Sequence, residues 1–238
     1  MNQAIISLFD YTGVMVEPWI KMGNQCFIFD IQHPDISIEE QLSQGANPVK
    51  ISGDYSAWKE IIQDIRKQYN IKMVFSFPPC TDLAVSGAAH FAKKLEADPQ
   101  YLDKAMLMVY AGKEIAHMLN RPFMIENPVS VISTTWRKPN HTFHPYEYGG
   151  YLDTDDIAPY ELIPARDRYT KKTCLWTGNG FVMPEKKPVE LPNGYKYSPQ
   201  HLKLGGKSLK TKNIRSATPR GFSQAVAEFN DCDYYDGN

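Results

Sequence analysis

Short apolar runs alternate with segments of helical periodicity in the first half of the chain, and this pattern predicts strands and helices in turn. Four runs have the length and the apolar content expected of buried strands: residues 4–9, 26–31, 73–77 and 122–125. Apolar residues from Trp58 to Ile65 recur at offsets of three, four and seven, which predicts a helix with one apolar face. A second, longer helix is predicted over residues 101–119. Such alternation favours βαβ units and a mainly parallel sheet.

Beyond Ser133 the chain is richer in Pro, Gly, Tyr and Lys, and the regular alternation ends. Turn signals such as Gly149-Gly150 and Gly178-Asn179-Gly180 follow. This stretch forms either a small subdomain that grips a substrate or a set of elaborated loops between late strands. Residues 218–229 return to a helical pattern, and we expect a terminal helix there that packs on the sheet.

Charge is distributed unevenly along the chain, although its total is close to zero. The 238 residues carry a net charge of −1, which argues neither for nor against a nucleic acid partner. Between Arg166 and Arg220, however, there are thirteen Lys or Arg residues and only three acids. A basic final third beside an acidic body suits a protein that holds phosphates on one side. A solvated, lysine-rich loop region is the alternative interpretation.

The cysteines and the apolar runs limit where the protein is expected. Cys26, Cys80, Cys174 and Cys232 form no Cys-x-x-Cys pair, so neither a zinc site nor a disulfide framework is indicated, and no other spacing predicts a metal site. The first residues lack a signal-peptide pattern, and no run reaches the ~18 apolar residues of a membrane span. We therefore expect a cytoplasmic protein with no membrane partner.

Two motifs at the ends of apolar runs carry the chemistry. Pro78-Pro79-Cys80 ends the third run, and Glu126-Asn127-Pro128 ends the fourth. A cysteine held by a prolyl turn at the carboxyl edge of a sheet is a strong nucleophile once it ionises, and a nearby glutamate supplies a proton. A lone cysteine at a strand end is often a core residue, but the second motif favours a catalytic pair.

In this order and spacing, the two motifs resemble those of the DNA cytosine-5 methyltransferases. Residues 77–87, Phe-Pro-Pro-Cys-Thr-Asp-Leu-Ala-Val-Ser-Gly, are similar to the compact, phage-type branch of that family. The resemblance implies an α/β, Rossmann-like S-adenosylmethionine-dependent methyltransferase fold: a mainly parallel twisted sheet with helices on both faces and a small loop-rich basic subdomain. It also implies a catalytic and cofactor-binding domain over residues 1–135, a substrate- or DNA-binding region over 136–215 and a terminal segment, 216–238, that returns to the first domain.

The resemblance implies transfer of a methyl group from S-adenosylmethionine to C5 of cytosine in DNA. Cys80 as thiolate adds to C6 of the ring, and Glu126 holds and protonates N3, so that C5 becomes nucleophilic. Loss of the C5 proton and expulsion of Cys80 then restore the aromatic ring. A double-stranded substrate requires extrusion of the target base, at a cost of a few kcal/mol.

The cofactor-binding residues that the resemblance implies follow the predicted strands. They are Phe9, Asp10, Tyr11, Thr12, Gly13, Asp30, Ile31, Asp54, Tyr55 and Pro78. The family has Phe-x-Gly-x-Gly after the first strand, whereas this chain has Asp10 and Thr12 at the glycine positions. Asp30 ends the second strand, where a carboxylate accepts both ribose hydroxyls, and Asp54 stands where the family contacts adenine. From the residues alone, Asp30 also suits a turn and Asp54 a helix N-cap.

Further residues are implied to hold the substrate. Those beside the two motifs are Pro79, Thr81, Ser86, Asn127 and Pro128. The family also has an Arg-x-Arg element that grips the base oxygen and adjoining phosphates, and Arg166-Asp167-Arg168 competes with Lys171-Lys172-Thr173 for that role. We assign Arg168 and Lys172 to the catalytic set and Lys171 to the substrate-binding set. The short stretch before the terminal helix leaves little surface for base-edge contacts, which predicts a short or relaxed recognition sequence.

Three alternatives stay open. The same residues could transfer a modified group, such as a carboxymethyl from a carboxylated relative of S-adenosylmethionine. The substrate could be a free cytosine nucleotide, or the chain could be a non-catalytic DNA-binding protein, although Cys80 and Glu126 argue against the last. With DNA as partner, we expect a monomer in the cytoplasm, that of the host cell if a phage encodes it. Protection of phage DNA from host nucleases is the purpose that the resemblance implies.

Overall fold

One seven-stranded sheet forms the centre of the part of the chain that the computed structural model describes, residues 1–158, 163–195, 198 and 208–231. Its strands are β1 (Asn2–Leu8), β2 (Gln25–Phe29), β3 (Val49–Ile51), β4 (Tyr69–Ser76), β5 (Phe123–Pro128), β6 (His141–Phe143) and β7 (Thr173–Gly178). Their order across the sheet is β3-β2-β1-β4-β5-β7-β6. The first five strands are parallel, whereas β7 is antiparallel to both of its neighbours, β5 and β6.

The sheet has the Rossmann-like methyltransferase fold predicted from the sequence: it is mainly parallel, and helices cover both of its faces. Each of the four predicted strands overlaps an observed strand. β6 and β7 come from the region predicted to be loop-rich, residues 136–215, and they complete the same sheet. The division into domains stays a prediction, and parts of its last two segments, residues 159–162, 196–197, 199–207 and 232–238, lie outside the described residues.

The helices include the three that the sequence predicts, over residues 58–65, 101–119 and 218–229. Those described are α1 (Glu17–Lys21), α2 (Ile38–Ser43), α3 (Tyr55–Gln68), α4 (Phe91–Ala97), α5 (Tyr101–Leu119), α6 (Ile132–Thr135), α7 (Leu209–Ser216) and α8 (Arg220–Asn230). Ser37, Asp54 and Ser208 start α2, α3 and α7, because each side chain accepts a hydrogen bond from an N–H of the first helical turn.

Alternate residues along the strands supply two cores, one on each face of the sheet. Ala4, Ile6 and Leu8 of β1 pack with α3 and α5, whereas Ile5 packs with α1 and α8. This alternation follows from the strand period of two, and burial on both faces is typical of parallel sheets. Burial of one such side chain, for example Ile62 of α3, stabilises the fold by roughly 1.5–3 kcal/mol.

The fold brings four chain segments to one edge of the sheet. The carboxyl ends of β1, β2 and β4 lead into residues 9–13, 30–32 and 77–80, and β5 ends beside them. The strand order reverses between β1 and β4, and ligands of open α/β sheets bind at such a switch point. No helix within the described residues is long and apolar enough to cross a membrane.

Candidate active site

A cavity of about 730 Å³ opens at this edge of the sheet. Its volume lies in the range of ~300–1,000 Å³ that is usual for small-ligand sites. Most of the predicted site residues line it: Phe9, Asp10, Tyr11, Thr12, Asp30, Pro78, Pro79, Cys80, Thr81, Ser86, Glu126, Asn127, Pro128 and Lys171. The structure therefore brings the predicted catalytic, cofactor-binding and substrate-binding groups together, while their individual roles stay predictions.

Cys80 begins a tight 3-10 turn, Cys80–Asp82, directly after two prolines. Its carbonyl accepts hydrogen bonds from the N–H groups of Leu83 at 3.1 Å and Ala84 at 2.8 Å. The prolines have a fixed φ and no N–H to donate, so they end the ladder of β4 and stiffen the entry to the turn. The Cys80 side chain is exposed and lines the cavity, which is the position that a nucleophile requires.

Hydrogen bonds tie the Cys80 turn to the strand that carries Glu126. Asn127 Nδ2 donates to the Pro78 carbonyl at 2.9 Å, and the Asn127 side chain is only 1% exposed. Behind it, the N–H of Val85 donates to the Val129 carbonyl at 3.0 Å. The N–H of Val131 donates to the Leu83 carbonyl at 2.9 Å. The thiol and the carboxyl are therefore carried by two segments that are bound directly to each other.

Lys94 of α4 holds the same turn from another side. Its ammonium donates to the Thr81 carbonyl at 2.6 Å and to Asp82 Oδ1 at 2.8 Å. Both charged side chains are partly exposed, at 27% and 38%, so the ion pair itself contributes at most ~1 kcal/mol. Its main effect is geometric, because the two bonds fix the residues that follow Cys80.

The electrostatics of the site couple Cys80 to Glu126. Desolvation within the cavity and, second, the Glu126 carboxyl raise the pKa of the Cys80 thiol, whereas Lys171 and Arg215 lower it. Burial raises the pKa of Glu126, and Lys171 offsets part of that rise. A protonated Glu126 no longer repels a thiolate, so the neutral acid and the ionised thiol favour each other.

Lys171 reaches this pair because of the direction of β7. Lys171 lies two residues before β7, and β7 runs antiparallel to β5 with Thr173 opposite Pro128. The segment that precedes β7 therefore lies at the same edge as the end of β5. An ammonium at this position offsets some of the desolvation of both acidic groups.

The loop after β1 has a carboxylate at a position where the family that the two motifs resemble has glycine. Asp10 is 4% exposed and accepts hydrogen bonds from Ser7 Oγ at 2.7 Å and from the Gly13 N–H at 2.8 Å. Phe9, which precedes it, has a left-handed backbone with φ 56°. Desolvation raises the pKa of Asp10, although these hydrogen bonds act against the rise. Asp10 therefore shapes the loop through its own contacts, a role that the sequence motif did not predict.

Asp30 is both a turn residue and a cavity residue. Its Oδ1 accepts a hydrogen bond from the Gln32 N–H at 2.8 Å, which confirms the turn interpretation. The side chain also lines the cavity, and its second oxygen has no hydrogen-bond donor among the described residues. The turn contact therefore leaves one carboxylate oxygen without a donor in the described chain, and the role of Asp30 toward a ribose stays a prediction.

Four predicted cofactor residues do not line the cavity. Gly13, with φ +69°, closes the Asp10 loop, and Ile31 is 74% exposed beside the cavity. Asp54 accepts a hydrogen bond from the Ser56 N–H at 2.9 Å, so it is the helix N-cap that the residues also suggested. The ring of Tyr55 lies behind Phe9, with 6.3 Å between the two ring centroids.

The Arg-x-Arg string also lies away from the cavity. Arg168 Nε donates to the Glu190 carbonyl at 2.8 Å, and neither Arg168 nor the exposed Lys172 lines the cavity. Between the two arginines, the buried Asp167 accepts a hydrogen bond from the Gly221 N–H at 2.8 Å at the start of α8. In this structure the string connects loops to a helix end, and its predicted part in catalysis has no geometric support.

The sequence reasoning missed the contribution of α7. Six of its eight residues line the cavity, and so does Gln32. The residues of α7 that do so, besides Leu209, are Thr211, Lys212, Asn213, Arg215 and Ser216. The one available signal was the density of Lys and Arg in this part of the chain, which did not identify which cations meet the site.

Metal ligation finds no support among the residues that the structure describes, since no cluster of three His, Cys, Asp or Glu side chains occurs there. Cys26 and Cys174 are buried, and burial raises the pKa of both thiols. Cys232 lies outside the described residues. Cys80 is thus the exposed thiol within the described part of the chain.

Comparisons with known proteins identify no family for the chain. No protein-family model and no curated protein matches the sequence. Among solved structures, a candidate DNA modification methyltransferase encoded within a prophage (E. coli) is similar, with 13% identity over 81% of this chain and 56% of that chain. The TM-score of this superposition is 0.46. The chain spans little more than half the length of this neighbour.

Proposed function

We propose that the protein is an S-adenosylmethionine-dependent DNA cytosine-5 methyltransferase. The observation that carries the proposal is the placement of Cys80 and Glu126 in one cavity, on two segments that the Asn127–Pro78 hydrogen bond joins. A nucleophilic thiol beside a proton-donating carboxyl is the pair that activates an electron-poor ring. The methyltransferase fold of the sheet supports the same reaction class, and the motif resemblance supports cytosine as the base.

The residues of the chain perform the activation of the base. Cys80, as thiolate, forms a bond to C6, the electron pair of the C5–C6 double bond shifts to C4–C5, and that of the C4–N3 double bond moves to N3. Glu126, as the neutral acid, donates its proton to N3, so negative charge does not accumulate and C5 becomes enamine-like. After the group transfer, loss of the C5 proton returns electrons to the ring, Cys80 leaves as thiolate and Glu126 recovers the N3 proton.

The cavity suits S-adenosylmethionine, which would supply the electrophilic methyl group when bound. The available oxygen of Asp30 would accept a hydrogen bond from a ribose hydroxyl, and the ring of Phe9 would offer an apolar surface to a base. Asp30 follows β2 and Cys80 follows β4, and these two strands lie on opposite sides of β1. The nucleoside end of the cofactor and its reacting end would therefore contact different walls of the cavity. These residues fit the cofactor.

The proposal is tested by mass analysis of nucleosides from DNA that has been incubated with the protein and S-adenosylmethionine. We expect 5-methylcytosine with the wild-type chain, none with Cys80→Ala and a strongly reduced amount with Glu126→Gln, because Gln cannot donate a proton to N3. Thr134→Ala, a change at an exposed hydroxyl that does not line the cavity, is the control. Methylation that is unchanged in Cys80→Ala contradicts the mechanism, and no added mass with wild-type protein contradicts the function.

A further inference from the structure

Helix α7 lies at the wall of the cavity, and two hydrogen bonds from its second half hold it there. Asn213 Nδ2 donates to Gln32 Oε1 at 3.3 Å, next to Asp30. Near the end of the helix, the Arg215 carbonyl accepts a hydrogen bond from Lys171 Nζ at 3.0 Å. α7 therefore connects the part of the cavity near Asp30 with the part near Cys80 and Glu126.

The packing of α7 leaves one face directed at the cavity. Ile214 is buried against Ile163 and Tyr169, in a small cluster separate from the two main cores. Lys212 and Arg215 both line the cavity and are exposed. Residues three apart in a helix share a face, so these two cations lie side by side.

These cations are not used elsewhere in the described part of the chain. Neither the Lys212 nor the Arg215 side chain has an ion-pair or hydrogen-bond partner there, whereas Lys94 pairs with Asp82 and Lys186 with Glu147. Cations that line a cavity and have no protein partner are available to bind an anionic group of a ligand.

No acid of the cavity forms an ion pair with Lys212 or Arg215 in the described part of the chain. The Asp10 carboxylate is engaged by Ser7 and Gly13, and Asp30 is engaged in part by the Gln32 N–H. Glu126 is biased toward its neutral form, because burial raises its pKa. The wall at α7 therefore carries two cations that no acid of the described chain pairs with, and Lys171 lies next to them.

We propose that α7 is the phosphate-binding element of the site. Lys212 and Arg215, together with Lys171, bind the phosphodiester groups on either side of the extruded cytosine. This inference rests on the proposed function and replaces Arg168 and Lys172 as the phosphate-contacting cations. An Arg guanidinium binds two phosphate oxygens at once, so Arg215 fixes the strand direction, whereas Lys212 acts as a point charge.

The location of the cations supports a phosphate next to the base. Arg215 lies close enough to Cys80 to lower the pKa of its thiol, as Lys171 does. An anion bound by Arg215 is therefore within reach of a base whose C6 meets Cys80. Because both cations are exposed at the mouth of the cavity, the strand that enters with the base meets them first.

The test is the salt dependence of binding to a short cytosine-containing duplex, measured by fluorescence anisotropy in a series of KCl concentrations. Each phosphate contact contributes about 0.9 to the slope of log K against log salt concentration. We expect Arg215→Gln and Lys212→Gln each to lower the slope by about that amount. Lys210→Gln is the matched control, because Lys210 is an exposed cation of the same helix that does not line the cavity. It leaves the slope unchanged.

A second measurement separates DNA from the cofactor as the ligand of α7. We expect calorimetric titration with S-adenosylmethionine to give the same affinity for Arg215→Gln, Lys212→Gln and the wild type. If the slopes for Arg215→Gln and Lys212→Gln equal that of Lys210→Gln, the inference is overturned. A loss of S-adenosylmethionine affinity with an unchanged slope also overturns it, because α7 would then bind the methyl donor. Failure of the proposed function is distinguishable, because it shows as unmodified nucleosides with the wild-type protein whatever the slopes are.

Discussion

The hydrogen bond from Asn127 to Pro78 is the contact on which the geometry of the site depends most, and Asn127→Ala removes it. The bond is 2.9 Å long and buried, so the Pro78 carbonyl loses its partner at a cost of ~1–3 kcal/mol. Asn127 Oδ1 is buried without a partner in the described chain, and its removal returns part of that cost. We expect a net loss of about 1–2 kcal/mol in the free energy of unfolding.

The effect on activity is larger than the effect on stability. Without the bond, the Cys80 turn and the Glu126 strand shift relative to each other, and a displacement of ~1 Å at reacting groups costs about 10²-fold in rate. Single-turnover transfer of a labelled methyl group to DNA measures the rate, and urea denaturation measures the stability. A rate for Asn127→Ala within twofold of the wild type, in protein shown to be folded, refutes the reasoning.

Asn127→Asp is the companion variant. It keeps the shape of the side chain but places a carboxylate oxygen against the Pro78 carbonyl, in a buried site. Burial and repulsion raise the pKa of this new carboxyl in the folded protein, so its stability is higher at low pH and is lost as pH rises. We expect the stability gap to the wild type to widen as the pH rises above ~4, the ordinary pKa of Asp, which Asn127→Ala does not show.

Three further outcomes are expected. Burial is the main cause that raises the pKa of Asp167 to about 6 from an ordinary value of 3.8. Ionisation of Asp167 in the fold therefore costs about 3 kcal/mol above pH 6. Thermal unfolding should show Asp167→Asn to be more stable than the wild type at pH 8, with the difference lost toward pH 4. A Cβ at Gly112 of α5 would lie 2.6 Å from both Cβ and Oγ of Ser76. Gly112→Ala should therefore lower the free energy of unfolding by about 1–3 kcal/mol in urea denaturation, and Ser76→Gly in the same chain should restore it. Lys171 lowers the pKa of both Cys80 and Glu126, so Lys171→Gln should move the pH–rate profile of single-turnover transfer to higher pH, and an unmoved profile would contradict the coupling.

The sequence predicted the strands and the site residues that follow them because both depend on local pattern. Apolar runs of strand length became β1, β2, β4 and β5, and residues at the ends of parallel strands necessarily meet at one edge. Cys80 and Glu126 share a cavity for this reason, although they are far apart in the chain. β6 and β7 escaped prediction, since they lie among turn signals and their pairing depends on distant strands.

Which Lys and Arg residues line the cavity depends on tertiary contacts that no local pattern encodes. Arg168 and Lys171 stand in the same basic stretch, yet only Lys171 lines the cavity, because the antiparallel entry to β7 directs it there. α7 reaches the cavity through the burial of Ile214, a packing contact with Tyr169 from another part of the chain. Asp10 was noticed as a departure from a glycine pattern, but its hydrogen bonds to Ser7 and Gly13 are visible only in the fold.

The most direct test of the central claim, that Cys80 attacks cytosine in DNA, is the capture of the covalent intermediate. DNA that carries 5-fluorocytosine blocks the last step, because fluorine at C5 cannot leave as a cation in place of the proton. Intact-mass analysis of the protein after incubation with this DNA and S-adenosylmethionine should show one adduct, and peptide mapping should place it on Cys80. An adduct on another residue, or methyl transfer to ordinary DNA with no adduct on the fluorinated DNA, would contradict the account.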